Sequence, residues 1–185
     1  SHTDATSLYA QFVETLQTEW KVEDEGEVRD LLNVEISREG DEVVLRQRGY
    51  IDKLVAHHLE GGTLPQRVLK TPCNQDLVSQ VEAAADIDPA SVDPMLLKQY
   101  QSIVGALMYC STNTRPDITY ATGMLCRVMS RPTPELLVSA QRVVAYLGHT
   151  RDLGLHYAAS GTGLKGLSDA NWATKHSTTG YTFLF

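Results

Sequence analysis

Leu32-Asn33-Val34-Glu35-Ile36-Ser37-Arg38-Glu39-Gly40-Asp41-Glu42-Val43-Val44-Leu45 is the stretch that decides the fold class. Leu32, Val34 and Ile36 alternate with polar residues, the period of a strand that buries one face. Glu39-Gly40-Asp41 breaks the pattern and Val43-Val44-Leu45 resumes it, which predicts two short strands joined by a glycine-containing turn. On both flanks the period changes. Residues 5–19 set Leu8, Phe12, Val13 and Leu16 on one side of a helix, with Thr6 or Ser7 as its cap. Residues 49–59 do the same with Tyr50, Ile51, Leu54 and Val55. Strands and helices are therefore mixed along the chain.

Further out, Gly61-Gly62, Pro65, Pro72, Pro89 and Pro94 punctuate residues 60–93, which read as a long and mostly irregular connection. Helical patterns follow at about 95–111, 116–130 and 134–148, each opening near a proline that suits a first turn. Gly148 reads as the C-cap of the last. Alternation then returns, predicting strands at 153–158, 163–168 and 178–185, the last an apolar strand ending in Phe185 that reads as cut.

A chain of 185 residues with 42% hydrophobic and 21% charged residues has the composition of an ordinary globular domain. No apolar run is long enough to span a bilayer, and Ser1-His2-Thr3-Asp4 opens no export signal. The expected setting is intracellular, in cytoplasm or nucleus, and not secreted. Cys73, Cys110 and Cys126 are odd in number and widely spaced, which suits reduced thiols and offers no zinc motif. The net charge of −7 is uneven: −8 over residues 1–60, −1 over 61–130 and +2 over 131–185. An acidic first third is a poor nucleic-acid surface in isolation, because phosphate binding is driven by lysine and arginine.

Tyr100-x4-Gly105-x-Leu107-Met108-Tyr109, followed by Thr114-Arg115-Pro116-Asp117-Ile118-x-Tyr120-Ala121, resembles the C-terminal part of a Ty1/copia-type retrotransposon reverse transcriptase. Upstream, Trp20-x-Val22-x-Asp24-x-Gly26, Leu32-x-Val34-Glu35-Ile36, Gln47-x-x-Tyr50-Ile51 and Thr71-Pro72 are similar to the family's post-catalytic hairpin, helix and T-P landmark. Downstream, Pro132, Ala140-x-Arg142-Val143, Tyr146-Leu147 and Thr150 resemble its R-V-L-R-Y-L-x-G-T helix. Ser168-Asp169-Ala170-Asn171-Trp172-Ala173 and Ser177-Thr178-Thr179-Gly180-Tyr181 resemble the opening of its RNase H domain. Three departures stand out: Asn33 where the family usually has glycine, Asn171 in place of the second aspartate, and Gly148-His149 in place of K-G.

The resemblance implies an α+β fold. Residues 1–70 would end a palm-like unit, 71–150 would form a connection loop and helical thumb or connection region, and 151–185 would begin an RNase H-like mixed sheet. It also implies Mg²⁺ chemistry in the intact enzyme, where paired carboxylates hold two ions. The chain contains no Asp-Asp pair, and of the RNase H carboxylates only Asp169 matches. Asp169 is thus the catalytic and metal-binding candidate, effective only in a complete RNase H domain. The chain alone is expected to be inactive and to need no cofactor.

Arg115, Arg127 and Arg142 are the candidates for contacting the phosphates of an RNA–DNA duplex. For Arg115 the competing and preferred reading is local pairing with Asp117. Tyr100, Tyr109, Tyr120 and Tyr146 read as core residues with bonded hydroxyls ahead of base-stacking platforms. Adjacent His57 and His58 point apart and make no metal pair. Asp86, Asp88 and Asp93 lack the rest of a calcium loop.

Two functional readings follow. The first is a fragment of a copia-type polyprotein that helps bind an RNA–DNA duplex in company with the remainder of the polyprotein. The second is a retroelement-derived, non-catalytic protein-binding or structural subunit, taking protein partners through an exposed strand edge.

Overall fold

The computed structural model describes residues 2–23, 26–158, 163–171 and 178–184. Asp24, Trp172, Ala173, Ser177 and Phe185, named above in motifs or strand predictions, lie outside the described residues. The order of elements is α1 (His2–Glu19), β1 (Asp30–Leu31), β2 (Val34–Glu39), β3 (Glu42–Arg46), α2 (Arg48–His58), α3 (Leu77–Ala84), α4 (Pro94–Asn113), α5 (Thr119–Cys126), α6 (Pro134–His149), β4 (Leu155–Ala158), β5 (Lys165–Asn171) and β6 (Thr178–Leu184). This is a mixed α+β chain with antiparallel sheets.

The expected hairpin is present. Ile36 faces Leu45, Ser37 faces Val44, and Glu39 faces Glu42 across a two-residue turn. Gly40 takes φ 64° at the first turn position, where a II′-type hairpin favours glycine. A second tight turn was not legible from the alternation. Leu32, expected as a strand residue, lies in a turn with Asn33 at φ 53° and 63°, folding the short β1 back onto β2. Positive φ at both central residues is the I′ pattern. Asparagine suits position 33, since it tolerates the left-handed region.

β3 also pairs with β4, giving the sheet order β1-β2-β3-β4 with Leu45 opposite Leu155 and Val43 opposite Tyr157. Thus the strand at residues 155–158, distant in sequence, completes the sheet built by residues 30–46. β5 and β6 form a separate two-stranded ribbon, in register from Lys165 opposite Leu184 to Asn171 opposite Thr178.

The core is helical. Ile51 and Leu54 of α2, Tyr100, Val104 and Leu107 of α4, Leu125 of α5, and Leu136, Val143 and Leu147 of α6 are buried together. Each fully buried aliphatic side chain contributes roughly 1.5–3 kcal/mol of transfer free energy. Asp93 and Thr133 cap α4 and α6, accepting from Leu96 N–H at 2.9 Å and Leu136 N–H at 3.3 Å, each just before a proline.

The structure corrects two expectations here and refines a third. Residues 60–93 are irregular over most of their length, as expected, but they also hold α3, whose Leu77, Val81 and Ala84 are buried at i, i+4 and i+7, and 3-10 turns at Glu60–Gly62 and Pro89–Ser91. Flanking prolines and glycines masked that short period. The helix expected over 116–130 is a 3-10 turn at Pro116–Ile118 followed by α5, which ends at Cys126. Gly148 is inside α6 rather than capping it, and is buried where the helix meets Leu64 and Val55. A Cβ there would lie 2.9 Å from Val55 Cγ2 and closer still to Leu64.

Candidate functional site

The Thr114-Arg115-Pro116-Asp117 segment joins α4 to α5, and it places an arginine inside the protein. Arg115 is 1% exposed. Its Nε and Nη2 donate to the two Asp117 carboxylate oxygens at 2.9 and 2.7 Å, a bidentate pair. Nη1 donates to Thr150 O at 3.1 Å and Nη2 to Thr150 Oγ1 at 2.7 Å. The guanidinium carbon stands 5.6 Å from the centre of the Tyr146 ring. Tyr146 Oη in turn donates to Asp117 Oδ2 at 2.9 Å. Pro116 fixes the tight turn that brings Asp117 back against the residue two places before it.

Burial works against the charged form of Asp117. Hydrogen bonds and charge from Arg115, with the Tyr146 hydroxyl, outweigh it and hold the carboxyl below the usual carboxylate range. Burial, reinforced by that carboxylate, raises the Tyr146 phenol. One residue before Arg115, Thr114 Oγ1 donates to Gln47 Oε1 at 2.8 Å, and both residues are buried. The motif therefore bolts the end of α4 to the end of α6 and to the start of α2. A guanidinium so enclosed is spent on the protein itself, in line with the local-pairing reading of Arg115.

Arg127 is exposed just after α5. Arg142 lies half-buried on α6 and donates to Thr71 O at 3.2 Å. Arg131 donates to Ala85 O. The three candidates Arg115, Arg127 and Arg142 thus sit in different surroundings: one enclosed, one exposed, one against the Thr71-Pro72 segment. Three of the four tyrosines hold backbone or carboxylate acceptors, with Tyr100 Oη donating to Leu125 O at 2.8 Å, Tyr109 Oη to Leu32 O, and Tyr146 Oη to Asp117. Tyr120 is 48% exposed.

Asp169 lies exposed on β5, opposite Gly180, and its Oδ1 accepts from Ala170 N–H at 2.9 Å. Among the described residues no three His, Cys, Asp or Glu side chains converge on a point. The described residues therefore do not compose a two-ion carboxylate site around Asp169. Cys110 is buried, its thiol pushed up to about 12 by burial, which makes it a small apolar side chain. No helix among the described residues is long and apolar enough to cross a membrane.

Two structural positions escaped the sequence reading. Glu35 accepts from Gly49 N–H at 2.9 Å and from Arg48 Nε at 2.7 Å, tying β2 to the first turn of α2. Burial raises its carboxyl, but the Gly49 and Arg48 bonds and the Arg48 charge win and lower it. Thr150 was noted only as part of a motif, yet it supplies two acceptors to Arg115. Its place at a helix C-terminus, where carbonyls lack intrahelical partners, was the available signal.

No family model matches the chain, and no solved structure matches it. Curated proteins do. An uncharacterized mitochondrial protein of Arabidopsis thaliana is 31% identical over 97% of this chain and 72% of its own length. A retrovirus-related Pol polyprotein from transposon TNT 1-94 of Nicotiana tabacum is 29% identical over 96% of this chain but only 14% of the polyprotein. Secreted RxLR effector protein 161 of Plasmopara viticola is 43% identical over a shorter match, 45% of this chain and 63% of that protein. The chain thus spans about a seventh of the polyprotein it matches. Matched in this way from end to end, the chain belongs to the Ty1/copia-type retrotransposon Pol family.

Proposed function

We propose that this chain is the non-catalytic middle of a copia-type Pol polyprotein, following the polymerase's catalytic turn and leading into its RNase H domain. Residues 1–70 end the palm-like unit, whose sheet takes β4 of the 151–185 segment as its edge strand; 71–150 form the connection and thumb, and the β5–β6 ribbon within 151–185 opens the RNase H-like sheet. In the intact protein this region helps hold an RNA–DNA duplex, while catalytic carboxylates and Mg²⁺ belong to flanking segments. Asp169 joins them only in a complete RNase H domain. The setting is cytoplasm or nucleus, where Cys73, Cys110 and Cys126 stay as free thiols.

The observation that carries this reading is the collinear match over nearly the whole chain to a polyprotein many times its length. Arg127 and Arg142 are the remaining phosphate contacts in the reading, and Arg115 serves as the bolt behind them. The test is fluorescence anisotropy with a labelled RNA–DNA hybrid, made on the intact polyprotein carrying Arg127→Gln or Arg142→Gln. Each phosphate contact removed should lower the salt slope of binding by about one. Slopes identical to the unsubstituted polyprotein for both variants would refute the duplex role.

The second reading, a repurposed protein-binding subunit, rests on the net charge of −7 and on Leu8, Tyr9 and Phe12 of α1, which are 54–65% exposed. Intact mass of the endogenous product separates the two. A species near 20.4 kDa supports the subunit, and one several times larger supports the polyprotein.

A further inference from the structure

The β1–β4 sheet has two faces of different kinds. Side chains alternate along a strand, and residues opposite one another share a side. The register therefore puts Leu31, Val34, Ile36, Val43, Leu45 and Leu155 on one face. On the other, Glu35 meets Arg48, Glu39 meets Arg46 and Glu42 meets His156 around the buried Val44. An antiparallel sheet with one wet face gives its polar side to water and its apolar side to a core.

Here the charged face suits water and the apolar face has no core. Among the described residues, none of the six aliphatics belongs to the helical core or packs against it. Leu31 is 56% exposed, and the other five are half-buried. A cleft of about 510 Å³ stays open beside Ile36 and Val43, with Arg29 and Arg38 at its border. An apolar sheet face is stable when a second layer covers it.

Three occupants compete for that layer. A nucleic-acid strand would use Arg29 and Arg38, but such strands take aromatic platforms, and this face is aliphatic apart from Tyr157, opposite Val43. A second copy would have to arrive from solution. A unit tethered in the same chain meets the face at an effective concentration on the order of millimolar. The chain spans 14% of the Pol polyprotein that it matches, so most of such a protein lies outside the structure. We propose that the apolar face of the β1–β4 sheet seats the polymerase unit that precedes residue 1 in the polyprotein, which lays an apolar surface across it. This inference rests on the function proposed above.

The test is photocrosslinking of the intact polyprotein with p-benzoylphenylalanine replacing Leu31, an exposed position on this face, followed by mass spectrometry of the joined peptides. Crosslinks to the polymerase unit of the same chain are expected, and mixing heavy and light isotopic forms separates them from crosslinks to a second copy. Leu45→Lys keeps an apolar stem in the middle of the face but sets an ammonium against any apolar layer, and should lower the crosslink yield about tenfold. Should that variant fail to fold, the crosslink map with Leu45 in place still decides. Crosslinks to a second copy or to nucleic acid, or none at all, would overturn the proposal. An endogenous product near 20.4 kDa would overturn the proposed function and this inference with it. A full-length polyprotein crosslinked elsewhere would overturn this inference alone.

Discussion

Replacing Arg115 with methionine should lower the stability of the chain by about 3 kcal/mol. Methionine keeps the length and apolar stem of arginine but removes four hydrogen bonds, two to Asp117 and two to Thr150. Breaking a buried ion pair by removing one partner costs roughly 3–5 kcal/mol, because the stranded charge has lost its compensation. Here the stranded group is Asp117, whose side chain is 33% exposed and keeps the Tyr146 hydroxyl, so solvent softens the loss toward the lower end. At about 2–4 °C per kcal/mol for a chain of this size, the melting temperature should fall by roughly 6–12 °C.

Asp117→Asn strands the other partner, an arginine that is 1% exposed and has no solvent to turn to, so it should cost at least as much. The double variant should lose markedly less than the sum of the singles, because the pair is one interaction. Linkage gives a second readout. The folded Asp117 carboxyl lies below its unfolded value, so its contribution is present above the unfolded pKa of about 3.9 and is lost as pH falls through the folded value. The stability gap between the native chain and Asp117→Asn should therefore close in acid. Circular dichroism melts across pH provide all of these numbers. A melting temperature for Arg115→Met within about 2 °C of the native chain would refute the reasoning, since removing a mere surface phosphate contact changes stability by less than about 0.5 kcal/mol.

Other substitutions test the rest of the frame. Leu32→Asn should stabilise the chain by about 0.5–1 kcal/mol in a urea titration, because leucine at φ 53° pays roughly 1–2 kcal/mol and is 74% exposed, with little burial to lose. The carbonyl that accepts from Tyr109 is untouched by this change. Gly148→Ala should cost about 1–3 kcal/mol by thermal melt, since its methyl group has no room beside Leu64 and Val55. Desolvation holds the His58 imidazole below its ordinary value, aided by adjacent His57. Stability should accordingly decline as pH falls through about 6.5, where the unfolded histidine charges first. His58→Gln should flatten that part of the pH profile.

What could be read in advance followed the reach of each signal. The β2–β3 hairpin carried its own turn, and α4 and α6 carried prolines after capping residues, so local chemistry named them. The Leu32-Asn33 turn did not announce itself, because leucine is a poor witness for a left-handed backbone. Only the departure from glycine at Asn33 hinted at it. α3 is eight residues long, too short for its period to outweigh the glycines and prolines around it. The pairing of β3 with β4 spans more than a hundred residues and has no local signature at all. Of the candidate residues, the Arg115–Asp117 pairing was legible because two charges stood beside a proline. Tyr146 and Thr150, which complete it, belong to a helix some thirty residues on.

The placement of the most motif-like residues also bears on what such motifs mean. Thr114-Arg115-Pro116-Asp117 has the look of a binding loop, since it combines a cation, an acid and a helix start. Yet its arginine is enclosed, and every partner it takes is another motif residue or the backbone beside one. Tyr146 and Thr150 belong to the downstream block, Gln47 to the upstream one, and each meets the same junction. Recurrent sequence blocks here are contact points between α2, α4 and α6, rather than separate chemical stations. A module of this kind transmits position: a shift of α6 moves Thr150, and with it Arg115 and the end of α4. That coupling is what the proposed function asks of this segment, because a rigid junction fixes α6 relative to the ends of α2 and α4.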